Sequence, residues 1–313
     1  LMTPITSLKL LSEHLASQGR RWRIAVVWGT DHSTLAAVTR AMECGFAEAI
    51  FVGAALPPSD QSLRSALSGH VSHVTASDAT QAARLAVELI RDGKADILMK
   101  GLVGTDVLLR AVLDKETGLL PAGRVLTHMA VTEWPEYGKL LFFTDAAVIP
   151  YPTRKQREAQ VDYAARLCRA FGVARPRIAL IHCSEKASEK FPYTLEYACM
   201  AAEAREGRWG DIVLDGPLDV RTSCDAVALH VKGIGSPLEG RADALVFPDI
   251  EAGNTFYKCM TYFAHAATAG MLCGTSAPVV LPSRGDSAET KFHSLAMAAI
   301  TVDHPAEDGQ ETL

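Results

Sequence analysis

The chain is 313 residues long, enough for two ordinary domains, and carries a formal net charge of -5 at pH 7. That balance argues against nucleic acid or an anionic membrane as the main partner, since both favour a basic excess. No run approaches the roughly 20 apolar residues that span a bilayer, and the first residues lack the apolar core of a signal peptide. A cytoplasmic location is the expectation. Seven cysteines, none in a C-x-x-C pair, suit free thiols in a reducing compartment better than disulfides or a zinc site.

The first third alternates short apolar runs with helical patterns. Arg23 to Trp28 and Ala49 to Gly53 read as strands on either side of a helix from Thr34 to Cys44. Val71 to Thr75 is a third strand. Ser77 or Asp78 then caps a helix whose Ala82, Leu85, Ala86, Leu89 and Ile90 share one face. Asp92-Gly93 ends that helix, and Ala95 to Met99 follows as a buried strand. Steps of this kind build parallel βαβ units with helices over a sheet.

The turn-rich segment Trp134 to Gly138 interrupts the pattern. Beyond it the spacing predicts strands at Lys139–Phe143, Arg177–His182, Asp211–Leu214, Ala242–Pro248 and Thr275–Leu281. Helices are predicted at Arg154–Phe171, Thr194–Gly207 and Gly253–Gly270, and the polar tail after Ile300 reads as loose.

In open parallel sheets ligands bind at the carboxyl ends of strands, so the loops there are where chemistry belongs. Met99 to Thr105, with Lys100 and two glycines, leads into a helix carrying Arg110. A strand, a glycine turn and a helix start can hold an anion, although an ordinary βα turn with a surface lysine has the same pattern. It is not a Walker loop. Asp215-Gly216-Pro217-Leu218-Asp219 follows a buried strand and reads as a turn, structural on its own. Phe247 to Asn254 brings Asp249, Glu251 and Asn254 ahead of a helix with Tyr257 and Lys258. Helix capping by Asn254 and solvated carboxylates would account for it equally well. Leu281 to Ser287 offers Ser283, Arg284 and Asp286; arginine forks onto phosphate with two parallel hydrogen bonds, and serine adds a hydroxyl. His70 and His73 flank a strand but have no evident carboxylate or cysteine partner, so no metal site is expected. The Gly233-Ile234-Gly235 stretch does not extend to a dinucleotide fingerprint.

Together these loops resemble the phosphotransacetylase/phosphotransbutyrylase family over nearly the whole chain. The matching stretches are MKGLVGTDVLLRAV, LLFFTDAAVIPYPT, LDGPLDV, HVKGIGSPLEGRADALVFPDIEAGNTFYK and PVVLPSRGDSAETK. MKGLVGT and the HVKGIGSPLEGRAD run lean toward the butyryl branch. The resemblance implies two α/β domains with mainly parallel sheets and an interdomain cleft, isocitrate/isopropylmalate dehydrogenase-like in outline. Residues 1–137 with 276–313 would form the first domain and 138–275 the second. It also implies a homodimer and the reaction acyl-CoA + phosphate ⇌ acyl phosphate + CoA, with no metal or organic cofactor.

Carried over by position, Ser283 and Arg284 match the pair that holds the phosphate, and Arg110 matches an arginine associated with CoA or phosphate. The acetyl branch places an aspartate base seven positions after the serine; here that position is Thr290. Asp286 and Glu251, then His128, are the candidates for the base. Lys100, Thr105, Arg110, His128, Asn254 and Lys258 are candidates for holding phosphate oxygens or the CoA pyrophosphate. Three other readings compete: phosphate acetyltransferase as the main activity, a dehydrogenase using Asp215, Asp249 and Glu251 as metal carboxylates, and a catalytically impaired CoA-binding protein.

Overall fold

The computed structural model describes residues 3–54 and 69–302. The part of the expected loose tail beyond Val302 lies outside these residues. Two compact units emerge from the chain's internal contacts. A terminal unit is built from Leu8–Leu126 and the segment from Ala269 onward. A central unit is built from Thr127–Thr268 together with the residues up to Ser7.

In the terminal unit, β1 (Trp22–Val27) is flanked by β2 (Ala47–Gly53) and β4 (Ile97–Lys100), with β3 (Val71–Thr75) beyond β2. All four run parallel. β11 (Val279–Val280) adds in parallel to β4, and β10 (Ala267–Cys273) pairs antiparallel with β11. Ile24 to Val27 and Ile97 to Met99 are buried, which explains their unbroken apolar runs. Helices α1 (Leu8–Ser17), α2 (His32–Glu43), α3 (Ala79–Arg91), α4 (Thr105–Val112) and α10 (Ala288–Val302) accompany the sheet. α10 is buried from Lys291 to Thr301 and packs on α1 and α2. A helix enclosed like this has no polar face to display, hence its run of Leu, Ala, Met and Ile.

The central unit begins with a hairpin, β5 (Thr127–Glu133) against β6 (Leu140–Thr144). β6 then pairs in parallel with β9 (Ala244–Val246), β9 with β7 (Arg177–Ile181), and β7 with β8 (Val213–Leu218). Its helices are α5 (Arg154–Ala170), α6 (Tyr193–Arg205), α7 (Val220–Cys224), α8 (Ala226–Val231) and α9 (Ile250–Lys258). Thr153 and Gln156 form a reciprocal capping box that starts α5. Phe143 meets Phe256 edge-on with ring centroids 5.1 Å apart, tying β6 to α9.

Most predicted elements stand near where the periodicity placed them, and several differ. Trp134 to Gly138 is the turn of the β5–β6 hairpin, with a short 3-10 turn at Pro135–Tyr137. The units therefore divide at 126/127 and 268/269, where the sequence reading divided them at 137/138 and 275/276. Asp215 to Leu218 is not a loop but the second half of β8, where the pairing with β7 shifts register. The predicted helix Gly253–Gly270 starts earlier, at Ile250, because Asp249 and not Asn254 caps it. It ends in a π-turn at Cys259–Phe263, and Ala267 to Gly270 are already β10. The final strand shrinks from Thr275–Leu281 to Val279–Val280. On α3 the buried face is Ala82, Ala83, Ala86, Val87 and Ile90, with Leu85 and Leu89 at its margin.

Candidate active site

In the terminal unit the loops that leave β1, β4 and β11 issue from adjacent parallel strands, so they emerge side by side at the carboxyl end of the sheet. They carry Asp31 to Thr34, Lys100 to Val103, and Ser283 to Ser287. The β4 loop packs tightly on the β1 loop: a Cβ on Gly101 would lie 2.4 Å from the Trp28 carbonyl oxygen. Only glycine permits that approach.

Lys100 is buried, 3% exposed, at the last position of β4. Its Nζ donates to the carbonyls of Gly101 at 3.1 Å and Val103 at 3.3 Å. Asp31 caps α2 by accepting from the Thr34 N–H at 3.0 Å. Lys291, also buried, donates to Asp31 Oδ1 at 3.2 Å, Ser33 Oγ at 2.7 Å and Thr34 Oγ1 at 3.0 Å. All three ammonium protons of Lys291 are thus engaged. Ser283 sits in a small closed turn, its N–H donating to Asp286 Oδ2 at 2.7 Å while its carbonyl accepts from the Asp286 N–H at 3.1 Å. Arg284 is exposed, with no hydrogen-bond or ion-pair partner among the described residues. Thr290 lies in the first turn of α10, where its N–H donates to Ser287 Oγ at 3.1 Å.

These groups feel one another. Burial pushes the Lys100 ammonium pKa down, and the neighbouring charges of Lys291 and Arg284 add to that, against an opposite pull from Asp31 and Asp286. Desolvation works against the charge of Asp31, yet hydrogen bonds from Thr34, Ser33 and Lys291 hold its carboxyl well below the usual carboxylate range. Chemically, an uncommitted guanidinium and a serine hydroxyl in one loop suit an oxyanion such as phosphate.

The central unit gathers the remaining candidates around the loop that follows β6. Asp145 is buried there, 2% exposed, and accepts from Thr127 Oγ1 and from the N–H groups of His128, Ala147, Val148 and Ile149. The N-terminal end of α9 docks on this loop. Asn254 donates to the Ala146 carbonyl at 2.9 Å, and Glu251 accepts from the Tyr151 hydroxyl at 2.9 Å. A Cβ on Gly253 would stand 2.0 Å from the Asp145 carbonyl oxygen, so the contact needs glycine. Lys258 projects from the other end of α9, its ammonium 5.2 Å from the Tyr257 ring centroid.

Lys100, Ser283, Arg284 and Asp286 therefore share one site, while His128, Glu251 and Asn254 share the Asp145 loop in the other unit. Thr105 is the exposed first residue of α4. Arg110 lies 3.8 Å from Asp106 and lines a 620 Å³ groove between α3 and α4 with Arg84, Glu88 and Arg91; no residue of the Lys100 cluster lines that groove. Sequence reasoning missed Asp31, Ser33, Thr34, Lys291 and Asp145. The one available signal was a lysine shortly before the apolar run of α10. His70 pairs with Glu48 at 3.1 Å and His73 with the Ala54 carbonyl at 2.9 Å. Among the described residues no group of three or more His, Cys, Asp or Glu is placed to hold a metal. No described helix is long and apolar enough to cross a membrane.

A family model described as "Phosphate acetyl/butaryl transferase" matches residues 67–299. The phosphate butyryltransferase of Clostridium acetobutylicum is 39% identical over 283 residues, which is 89% of this chain and 92% of that protein. The phosphate acetyltransferase of Thermotoga maritima is 36% identical over 220 residues, 70% of this chain and 74% of that one. A branched-chain phosphotransacylase from Enterococcus faecalis superposes with a TM-score of 0.80 at 31% identity, covering 90% of this chain and 99% of that chain. The class is thus an α/β acyltransferase. More narrowly, the chain belongs to the phosphate acetyl/butyryl transferase family.

Proposed function

We propose that this chain interconverts a short-chain acyl-CoA plus phosphate with the acyl phosphate plus CoA, with butyryl-type chains as preferred substrates. The observation that carries the reading is the terminal-unit site, where Arg284 and Ser283 stand in one loop beside buried Lys100. The lean toward butyryl is supported by the 39% identity to a phosphate butyryltransferase over most of both chains. CoA and phosphate are substrates, and the reaction calls for no resident metal or organic cofactor. We place the enzyme in the cytoplasm as a homodimer; Tyr262 and Phe263, 73% and 74% exposed, supply apolar surface of the kind a partner subunit covers.

Towards CoA, the thiol loses its proton and attacks the acyl-phosphate carbonyl, and phosphate leaves. Negative charge grows on the departing phosphate, where Arg284 and the Ser283 hydroxyl are stationed to receive it. Thiol release from acetyl-, propionyl-, butyryl- and isobutyryl-CoA, with and without phosphate, tests the proposal. Phosphate-dependent release fastest with a four-carbon chain is expected. Folded protein that binds CoA without releasing thiol would instead identify an impaired binder.

A further inference from the structure

The reaction proposed above requires a group that accepts the thiol proton, and the strand-end site narrows the choice. Thr290 offers only a hydroxyl. Asp31 is charged and held low by Thr34, Ser33 and Lys291, far beneath a thiol whose ordinary pKa is about 8.5. Asp286 is tied into its own loop through the Ser283 N–H. Lys291 has each of its donors committed to an acceptor.

Lys100 differs from all of these. It is buried, it ends the central strand β4, and its only hydrogen-bond partners among the described residues are two uncharged carbonyls. A neutral amine has two N–H groups and one lone pair. The carbonyls of Gly101 and Val103 take two N–H groups, and the lone pair is left over. Lys291, by contrast, has the Asp31 carboxylate beside it. The same strand end thus holds one lysine built to stay charged and one whose surroundings tolerate neutrality.

Resting on the acyltransferase reading, we propose that Lys100, as a neutral amine, is the general base for the CoA thiol. The S–H proton passes to Lys100 Nζ as sulfur bonds to the acyl carbonyl carbon. The bond from that carbon to the phosphate oxygen breaks, and its electron pair leaves with phosphate on Arg284 and Ser283. In the opposite direction a phosphate oxygen attacks the thioester, and the Lys100 ammonium returns its proton to the departing thiolate. The charged groups facing Lys100 come from three elements: Asp31 after β1, Arg284 and Asp286 after β11, and Lys291 on α10. The first and third of these elements are joined by the Lys291–Asp31 pair.

The test compares kcat and KM for butyryl phosphate across pH in wild type, Lys100→Arg and Asp286→Asn. Wild-type turnover, measured first, decides the acyltransferase reading by itself. Arginine stays protonated throughout and cannot accept the proton. Lys100→Arg is therefore expected to hold KM for butyryl phosphate while kcat falls about 10²–10⁴-fold, the usual worth of a positioned base. Asp286→Asn removes a negative charge that favours the ammonium, so the acid limb of the wild-type kcat profile is expected to move to lower pH. This second variant does not depend on arginine fitting the Lys100 site. Near-wild-type kcat in Lys100→Arg, or an acid limb that stays in place in Asp286→Asn, overturns the assignment.

Discussion

Asp145 in the central unit and Asp31 in the terminal unit are carboxylates that follow a strand at its carboxyl end, and the protein treats them differently. Asp145 accepts from five donors, four of them backbone N–H groups of His128 and its own loop. Its charge is spent holding a loop in shape. Asp31 takes its donors on Oδ1 alone, while Oδ2 is buried with no partner among the described residues. Saturation separates a carboxylate that builds the scaffold from one that keeps an acceptor in reserve. The same contrast divides the cations, with Lys291 fully engaged and Arg284 uncommitted.

Substitutions at the two sites should divide the same way. Arg284→Ala is expected to cut phosphate-dependent CoA release by about 10²–10³-fold, the range for losing a transition-state donor. Its unfolding free energy should move by no more than ~0.5 kcal/mol, as for an exposed side chain with no partner. Turnover near the wild-type rate in that folded variant would falsify the phosphate assignment. Asp145→Ala should do the reverse and destabilise the protein by ~3–5 kcal/mol, because several buried donors lose their acceptor together. Urea unfolding measures this, and a shift below 1 kcal/mol would mean that water can replace the carboxylate. Asp145→Asn should lose less, since one oxygen remains.

A smaller effect concerns Asp219, the cap of α7. Desolvation opposes its charge, but hydrogen bonds from Lys232 and Thr222 bring its pKa down to about 2. The unfolded chain holds that proton more tightly, with a carboxyl pKa of about 3.9. The stabilisation is therefore present above the unfolded value and disappears as pH falls through the folded one. Wild type should exceed Asp219→Asn in stability at neutral pH, and the gap should close toward pH 2. A gap that persists there would assign the effect to the shape of the cap and not to its charge.

Local periodicity made most elements legible. Arg23 to Trp28 and the Asp78 cap read closely because their burial and capping are settled within a few residues. Ala267 to Gly270 did not, since A-T-A-G offers only Thr268 as a β-branched residue and continues a helical spacing. Gly253 was read as the start of a helix; its place inside α9 answers instead to close approach to the Asp145 carbonyl, a partner far off in the chain. The site divided similarly. Ser283, Arg284 and Lys100 announced themselves as charged or hydroxyl groups in loops after strands. Lys291 was hidden within a packing helix, and nothing local marked Asp31 as its counter-ion.

That pairing spans 260 positions of the chain, and β11, which borders β4, comes from the same late segment. During synthesis, then, one edge of β4 waits unpaired while the whole central unit is translated. Closing so long a loop is entropically slow, and an open strand edge invites misplaced pairing meanwhile. A chain cut short before β11 would carry Lys100 and Asp31 but neither the Ser283-Arg284 loop nor Lys291. Incomplete copies would thus be catalytically silent, and competence would arrive only with the last helix.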